Sequence, residues 1–100
     1  MSYYALATWH VRPGAEDAFE EAWTEMRAVL AEVPGLPVTD SVLVRNVTDP
    51  SRYCSFGPWP DTESLESMQS DPAVRSALAA ARACCVQASP GTFEVRRVLA

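Results

Sequence analysis

The chain has 100 residues, 48% of them hydrophobic, and a formal net charge of −5. A chain of this length has room for one hydrophobic core, which predicts a single domain over residues 1–100. All eight basic residues are arginine, which excludes enzymes that depend on a catalytic lysine, such as Schiff-base and P-loop enzymes. The acidic balance predicts no nucleic acid partner, because no basic stripe is present to displace phosphate counterions.

His10 is the single histidine, and the three cysteines are Cys54, Cys84 and Cys85. A structural zinc site would need a carboxylate as its fourth ligand, and any catalytic His pair would have to use His10. An odd number of cysteines, two of them adjacent, does not fit a secreted disulfide framework. The adjacent pair is either a redox switch or, as we favour, two small apolar residues on a helix.

The amino terminus has neither the basic nor the apolar segment of a signal peptide. No apolar run approaches the roughly 18 residues of a membrane span. The sequence therefore predicts a cytoplasmic protein with no membrane partner.

The first half of the chain reads as a strand and a long helix. Residues 3–11 are rich in aromatic and β-branched side chains and end at a turn signal, Arg12-Pro13-Gly14. Apolar residues then follow at steps of three and four, which predicts an amphipathic helix of about five turns. The apolar positions are Ala15, Ala18, Phe19, Ala22, Trp23, Met26, Leu30 and Val33. Pro34-Gly35-Leu36-Pro37 ends this helix.

The second half begins with a predicted hairpin of strands 41–47 and 52–59 around the turn at 48–51. Asp61 or Thr62 is the N-cap of a short helix. Asp71-Pro72 then starts a second long helix over residues 73–87. Ser89-Pro90-Gly91 ends that helix, and residues 92–99 form the last strand.

The order β-α-β-β-α-β predicts an α+β, ferredoxin-like fold with both helices on one face of a four-stranded antiparallel sheet. Alternation along the strands places apolar residues on both faces, with Trp9 on one and Leu6 on the other. The helices cover one face only. A second copy of the sheet is the simplest cover for the other, which predicts a homodimer whose sheets pack face to face.

Small and large residues alternate on the strand faces directed at the helices. Ala7, Ser55 and Gly57 are small, whereas Trp9 and Trp59 are large. Small residues beneath aromatic walls leave room for a flat ligand. The alternative is that the tryptophans simply fill the core.

Several polar groups are candidates to act on such a ligand. The indole N–H groups of Trp59 and Trp9 are possible donors to a ligand oxygen. Arg82, with a neutral amide from Gln69, would stabilise a phenolate; the alternative for Arg82 is a solvated surface side chain. Phe19, Trp23, Met68, Ala7 and Ser55 complete the predicted binding site, with Trp59, Trp9 and Arg82 as its catalytic candidates. His10 lies on the opposite face, either as a base or in a structural role.

The chain resembles the antibiotic biosynthesis monooxygenase family, within the dimeric α/β-barrel superfamily. The similarity covers nearly the whole chain in order and spacing, and three segments carry it. These are Val11-Arg12-Pro13-Gly14 with Phe19 and Trp23 on the helix it opens, Asp49-Pro50-Ser51-Arg52-Tyr53 running through Phe56-Gly57 to Trp59-Pro60-Asp61 and Leu65, and Ser70-Asp71-Pro72.

The resemblance implies a dimer with one cavity per subunit, and oxidation of a phenol, hydroquinone or anthrone by O2 with no metal or flavin cofactor. Trp59 matches the tryptophan that ends the third strand and lines the cavity in such enzymes. Two positions depart from the family. An asparagine of some relatives falls near Ala7, and the histidine of haem-degrading relatives falls near Gln69, which argues against haem.

We therefore expect a cofactor-independent monooxygenase that acts on a small aromatic compound, in secondary metabolism. Two alternatives remain open. One is a non-catalytic ligand-binding dimer, and the other is a polyketide cyclase or isomerase of the same fold.

Overall fold

The structure, a computed structural model, describes residues 3–35 and 40–99. Its elements follow the predicted order. They are β1 (Tyr3–Val11), α1 (Glu16–Glu32), β2 (Val42–Arg45), β3 (Arg52–Trp59), α2 (Thr62–Ser70), α3 (Pro72–Ala83) and β4 (Cys85–Glu94). The α+β, ferredoxin-like fold is confirmed. Leu36 and Pro37 of the predicted helix stop lie outside the described residues.

The four strands form one antiparallel sheet in the order β2-β3-β1-β4. Ala7 of β1 lies between Ser55 of β3 and Pro90 of β4. Since side chains on directly opposed residues point to the same face, these three residues share one face with Trp9. We call this the inner face, because the helices pack against it, and the other the outer face.

The two helices after β3 begin at aspartate caps. Asp61 accepts a hydrogen bond from the Ser64 N–H, and Asp71 accepts from the N–H groups of Ala73 and Val74. Pro72 occupies the first turn of α3, where its missing N–H removes no helical hydrogen bond. A single residue, Asp71, therefore separates the two helices, and its side chain caps the second of them.

The end of the chain differs from the sequence prediction. The second long helix ends at Ala83 rather than at residue 87, and β4 spans Cys85–Glu94 rather than residues 92–99. Arg12 explains the early end, because its backbone N–H donates to the Cys84 carbonyl and its guanidinium to the Ala83 carbonyl. Pro90 is tolerated inside β4 because β4 is an edge strand.

Two smaller differences accompany this one. The second strand is shorter than predicted, Val42–Arg45 rather than residues 41–47. Cys85 lies in β4 and not on a helix, so Cys84 and Cys85 belong to different elements. Both of these thiols are free and partly buried.

The tightest packing is at one end of the inner face. Trp9, Val11, Phe19, Tyr53 and Ala81 form a buried cluster between β1, β3 and the two long helices. The Phe19 ring lies between Trp9 and Tyr53, with ring centroids 5.2 and 4.9 Å away. This cluster holds the helices on the sheet at that end.

The outer face is apolar and uncovered in the single chain. Tyr4, Val42, Val44 and Phe93 are 37, 43, 43 and 52% exposed there, and Tyr4 lies opposite Phe93 in the sheet. This matches the two-sided apolar pattern predicted from the strands. The residues after Glu94 do not extend the face, because β4 ends there.

Candidate functional site

A cavity of about 640 Å³ lies between the helices and the inner face of the sheet. Every strand except β2 contributes to its lining, and so do all three helices. This is where the sequence places a ligand. The volume falls within the range that small-molecule sites occupy in proteins.

The part of the cavity formed by the sheet consists mainly of small residues. Ala5, Ala7, Gly57 and Ala88 line it. A Cβ on Gly57 would approach the Ser41 hydroxyl to 2.6 Å and the Ser41 Cα to 3.3 Å. Because glycine has no Cβ, Ser41 in the segment before β2 can pack directly against the sheet at this position, beside the cavity.

The opposite wall is apolar and comes from the helices. Trp23, Met26 and Leu30 are contributed by α1, and Leu78 by α3. They extend the stripe predicted for α1 beyond the buried cluster. A flat hydrophobic molecule would meet apolar surface on both sides.

Trp9 and Ser55 form a fixed polar pair at the cavity. The Trp9 indole N–H donates a hydrogen bond of 3.0 Å to the Ser55 hydroxyl oxygen, and both residues are buried. The donor of Trp9 that we expected to serve a ligand is therefore engaged within the protein. The Ser55 O–H keeps its own proton to donate.

Trp59 differs from Trp9 in this respect. It is 4% exposed and lines the cavity, yet over residues 3–35 and 40–99 its indole N–H has no hydrogen-bond partner. No fully buried side-chain nitrogen or oxygen in those ranges lacks a partner, so this N–H is reachable from open space. It remains a donor for a ligand.

Two arginines of α3 line the cavity. Arg82 was predicted, and Arg75 is an addition. Both residues are exposed, so Arg82 lines the cavity and is also solvated, as the alternative interpretation of it predicted. They are seven residues apart, so their Cα atoms are separated by two helical turns, or about 10 Å. Neither is in an ion pair within the described part of the chain, and the described lining includes no Asp or Glu. The cavity therefore carries only positive charge, although the chain is acidic overall.

A sequence signal for Arg75 was available. Arg75, Leu78, Ala79 and Arg82 follow the helical spacing of three and four residues. That stripe runs beside the buried one through Val74 and Ala81. The sequence indicates the stripe but not that a cavity lies beneath it.

The structure brings most of the predicted site residues together. Around the cavity lie Trp59, Trp9, Arg82, Ala7, Trp23, Ser55, Met68 and Gln69. Phe19 is the exception. It is fully buried in the cluster next to Trp9, because it lies one turn before Trp23, where α1 packs directly on Trp9 and Tyr53. Phe19 packs against Trp9 and does not line the cavity.

Two groups near the site have altered acidity. Burial raises the pKa of Tyr53, and its 2.7 Å hydrogen bond to the Glu20 carboxylate raises it further, while Arg45 acts in the opposite direction. Burial likewise raises the pKa of the Cys85 thiol; Cys84 adds to that effect and Arg12 opposes it. Both groups are therefore held in their neutral forms at pH 7.

His10 lies on the outer face, on the side of β1 away from the cavity, as its place in the strand predicts. It borders a shallow hollow of about 530 Å³, with Arg45, Arg52 and Gln87 among its neighbours. In the described ranges, no three or more His, Cys, Asp or Glu side chains come together as a metal site. Nor does any helix there have the length and apolar character needed to cross a membrane.

Comparison with known proteins decides the family. The family model named antibiotic biosynthesis monooxygenase matches residues 2–80. The chain belongs to this family. Three segments of the chain first indicated a resemblance to the antibiotic biosynthesis monooxygenases. The family model confirms it over residues 2–80. No curated protein matches the sequence at a significant level.

Solved structures share the fold of this family member. SnoaB, a cofactor-independent oxygenase from Streptomyces nogalater, superposes with a TM-score of 0.84 at 22% identity, over 98% of this chain and 96% of that one. A conserved protein from Methanosarcina mazei Go1 gives 0.82 at 12% identity, over 96% and 94%. A dimeric ferredoxin-like protein of unknown function from Jannaschia sp. CCS1 gives 0.75 at 18% identity, over 95% and 100%. At these identities the likeness is one of fold.

Proposed function

We propose that this family member is a cofactor-independent monooxygenase that oxidises a small aromatic phenol, hydroquinone or anthrone with O2, in secondary metabolism. The observation that carries the proposal is Arg82, a guanidinium with no ion-pair partner in the described ranges, at a cavity walled by tryptophans and aliphatic side chains. That combination suits a flat aromatic molecule that becomes an anion. The description of SnoaB as a cofactor-independent oxygenase supports the same chemistry.

Arg82 lowers the energy of the reactive form of the substrate. Ionisation of an anthrone gives a phenolate whose charge is shared with a ring carbon, and only this electron-rich form reduces O2 readily. A cation next to the developing charge stabilises it, and the apolar walls of the cavity strengthen that effect on the side of the substrate away from water. The aromatic walls thus supply both the fit and the low dielectric.

The overall reaction needs no external reductant. In an anthrone the two C–H bonds of the central methylene are replaced by one C=O bond, with one oxygen atom from O2. The other oxygen atom leaves as water, which takes up the two hydrogens. The substrate supplies all the electrons, so no reduced co-substrate is required, and we propose that no metal or flavin cofactor takes part.

The remaining polar groups orient the substrate. The Trp59 N–H is a donor to a ring oxygen, and Ser55, fixed by Trp9, offers its O–H from the sheet. Gln69 adds an amide from α2. With no carboxylate in the described lining, we expect the substrate proton to leave through water or through a neighbouring substrate oxygen.

We further propose that the working unit is a homodimer in which residues 1–100 of each subunit act as one domain, and that it is cytoplasmic. The uncovered outer face supports the dimer. So does the relative from Jannaschia that is described as dimeric.

The test is the stoichiometry of oxidation by purified, metal-stripped protein over a panel of anthrones and hydroquinones. With an anthrone we expect one O2 consumed per quinone formed, with one ¹⁸O atom from labelled O2 in the product. The rate should fall about tenfold or more in Trp59→Phe, which keeps an aromatic side chain but removes the indole N–H donor. Ligand binding without O2 uptake across the panel, or a product at the oxidation level of its substrate, would contradict the proposal.

A further inference from the structure

We infer that Arg75 is a specificity residue, and that the substrate carries a carboxylate at a distance from the ring that is oxidised. This inference rests on the proposed function, since it names the class of substrate for the same cavity. Arg75 would bind the carboxylate while Arg82 faces the phenolate. The substrate is then an acidic polycyclic aromatic compound rather than a neutral one.

The first observation is that Arg75 has no carboxylate partner among the described residues. The acidic residue one turn before Arg75 is Asp71, whose carboxylate caps α3 and makes no ion pair with Arg75. One carboxylate oxygen of Asp71 accepts from the N–H groups of Ala73 and Val74 at 2.9 and 3.1 Å. Arg75 is exposed and lines the cavity, and its guanidinium offers five N–H donors with no carboxylate partner among the described residues.

The second observation is the contrast between the cavity and the rest of the molecule. The chain carries a net charge of −5, whereas the described cavity lining has two guanidinium groups and no carboxylate. A concave site with apolar walls concentrates the field of its charges. Two guanidinium groups at one cavity favour an anionic ligand although the chain is acidic overall, and one phenolate does not account for both cations.

The third observation is the spacing. Arg75 and Arg82 are separated by about 10 Å along α3, and Leu78 and Ala79 lie between them on the cavity wall. A fused-ring aromatic body would lie against these apolar side chains and direct an acidic group to each end. Arginine suits a carboxylate because its two parallel N–H groups match the two oxygens.

The experiment compares two probes that differ in one group, anthraquinone-2-carboxylate and anthraquinone-2-carboxamide, and follows binding by quenching of tryptophan fluorescence. We expect Arg75→Gln to weaken the carboxylate about tenfold, as the loss of one charge-assisted hydrogen-bonded pair predicts. Binding of the carboxamide should change less than twofold. Arg75→Lys should recover part of the loss, since it keeps the charge but not the paired N–H geometry.

The matched control is Arg97→Gln, which removes the same charge from an exposed position outside the cavity. It should leave both probes unaffected. Circular dichroism and thermal unfolding verify that each variant is folded. Arg75→Lys, which retains the charge, serves as the second variant if Arg75→Gln is unstable.

Three results would overturn the inference. They are an equal loss for both probes in Arg75→Gln, no loss for either, and no binding of the carboxylate by the wild-type protein. Oxygen uptake is measured separately with a neutral anthrone and with the corresponding anthrone carboxylate, since the inferred specificity alone would disfavour the neutral compound. If neither compound gives uptake but the carboxylate preference depends on Arg75, the oxidation proposal fails and the binding assignment stands. If uptake occurs and the preference does not depend on Arg75, only the binding assignment fails.

Discussion

Ser55 has a defined structural role as the hydrogen-bond acceptor of the buried Trp9 side chain. Its hydroxyl accepts the indole N–H of Trp9 across two strands, at 3.0 Å, because Trp9 and Ser55 share the inner face two positions apart in the β1–β3 register. A buried indole donor without a partner is costly. The pair thus orients a cavity wall and satisfies a buried group at once.

Ser55→Ala should therefore lower the free energy of unfolding by about 1–3 kcal/mol, the cost of an unsatisfied buried donor. The measurement is urea unfolding at a fixed protein concentration. In a Trp9→Phe background, which lacks the donor, the same substitution should cost much less. Equal costs in the two backgrounds would mean that the hydrogen bond does not stabilise the fold.

Tyr53 gives a second prediction at this scale, on pH. The pKa of the folded protein's Tyr53 is raised above its ordinary value of 10 by burial and by Glu20, so the unfolded chain loses this proton first as the pH rises. The stability that Tyr53 contributes is complete below pH 10 and is lost as the pH passes upward through the raised pKa. Tyr53→Phe cannot lose this proton.

The free energies of unfolding of wild type and Tyr53→Phe, measured between pH 7 and pH 11, test this sign. We expect the wild type to lose stability more steeply above pH 10. Tyr3 and Tyr4 are present in both proteins, so the comparison isolates the effect of Tyr53. Parallel curves would show that the Tyr53–Glu20 contact does not affect stability at high pH.

At the scale of elements, local signals predicted the start of each helix better than the end of the last one. Asp61 and Asp71 are recognisable caps in the sequence, and the structure uses both. The carboxyl end of α3 depends on Arg12, which is 71 residues away from the carbonyl it binds. The apolar spacing continues to Cys85, so nothing local indicates where the helix gives way to a strand.

The last strand was misplaced for a related reason. Pro90-Gly91 is typical of a turn, but an edge strand tolerates proline where its backbone nitrogen needs no partner. Which strand is at the edge follows from sheet order, a tertiary property. Arg75 was missed in the same way, since a stripe on a helix does not reveal the cavity that it faces.

Asp71 provides a prediction for an element. Asp71→Ala removes the cap of the helix that carries Arg75 and Arg82, and it should lower the free energy of unfolding by about 1 kcal/mol. Thermal or urea unfolding measures it, with Ser76→Ala, at an exposed position inside the same helix, as the control. A loss no larger than that of the control would show that the two hydrogen bonds of Asp71 do not stabilise α3.

At the scale of the whole molecule, the two faces of the sheet differ in what covers them. Alternation in β1, β2 and β3 was enough to predict both faces, because each residue's face depends only on its parity within a strand. The inner face packs on helices, and the outer face exposes Tyr4, Val42, Val44 and Phe93. The apolar pattern on both faces is also what led the sequence analysis to predict a second copy as the partner of the outer face.

A second copy is the partner we predict. Light scattering at micromolar concentration should give twice the 10.9 kDa mass of one chain. Val44→Arg, which places a charge on the outer face, should give monomers, because a buried unpaired charge is strongly unfavourable at an interface. Ser76→Arg adds the same charge on an exposed part of α3 and should remain dimeric. A monomeric wild type, or a dimeric Val44→Arg, would contradict face-to-face packing.

We propose that oxidation takes place in the cavity between the helices and the sheet. The most direct measurement is oxygen uptake by metal-stripped wild type and Ala7→Leu, side by side, with the same anthrone. Ala7 faces the cavity from the middle of β1, so the larger side chain fills the space that a substrate needs. We expect turnover above the non-enzymatic rate for the wild type and only the non-enzymatic rate for a folded Ala7→Leu. Equal rates in the two proteins would contradict it, whether both were fast or both were at background.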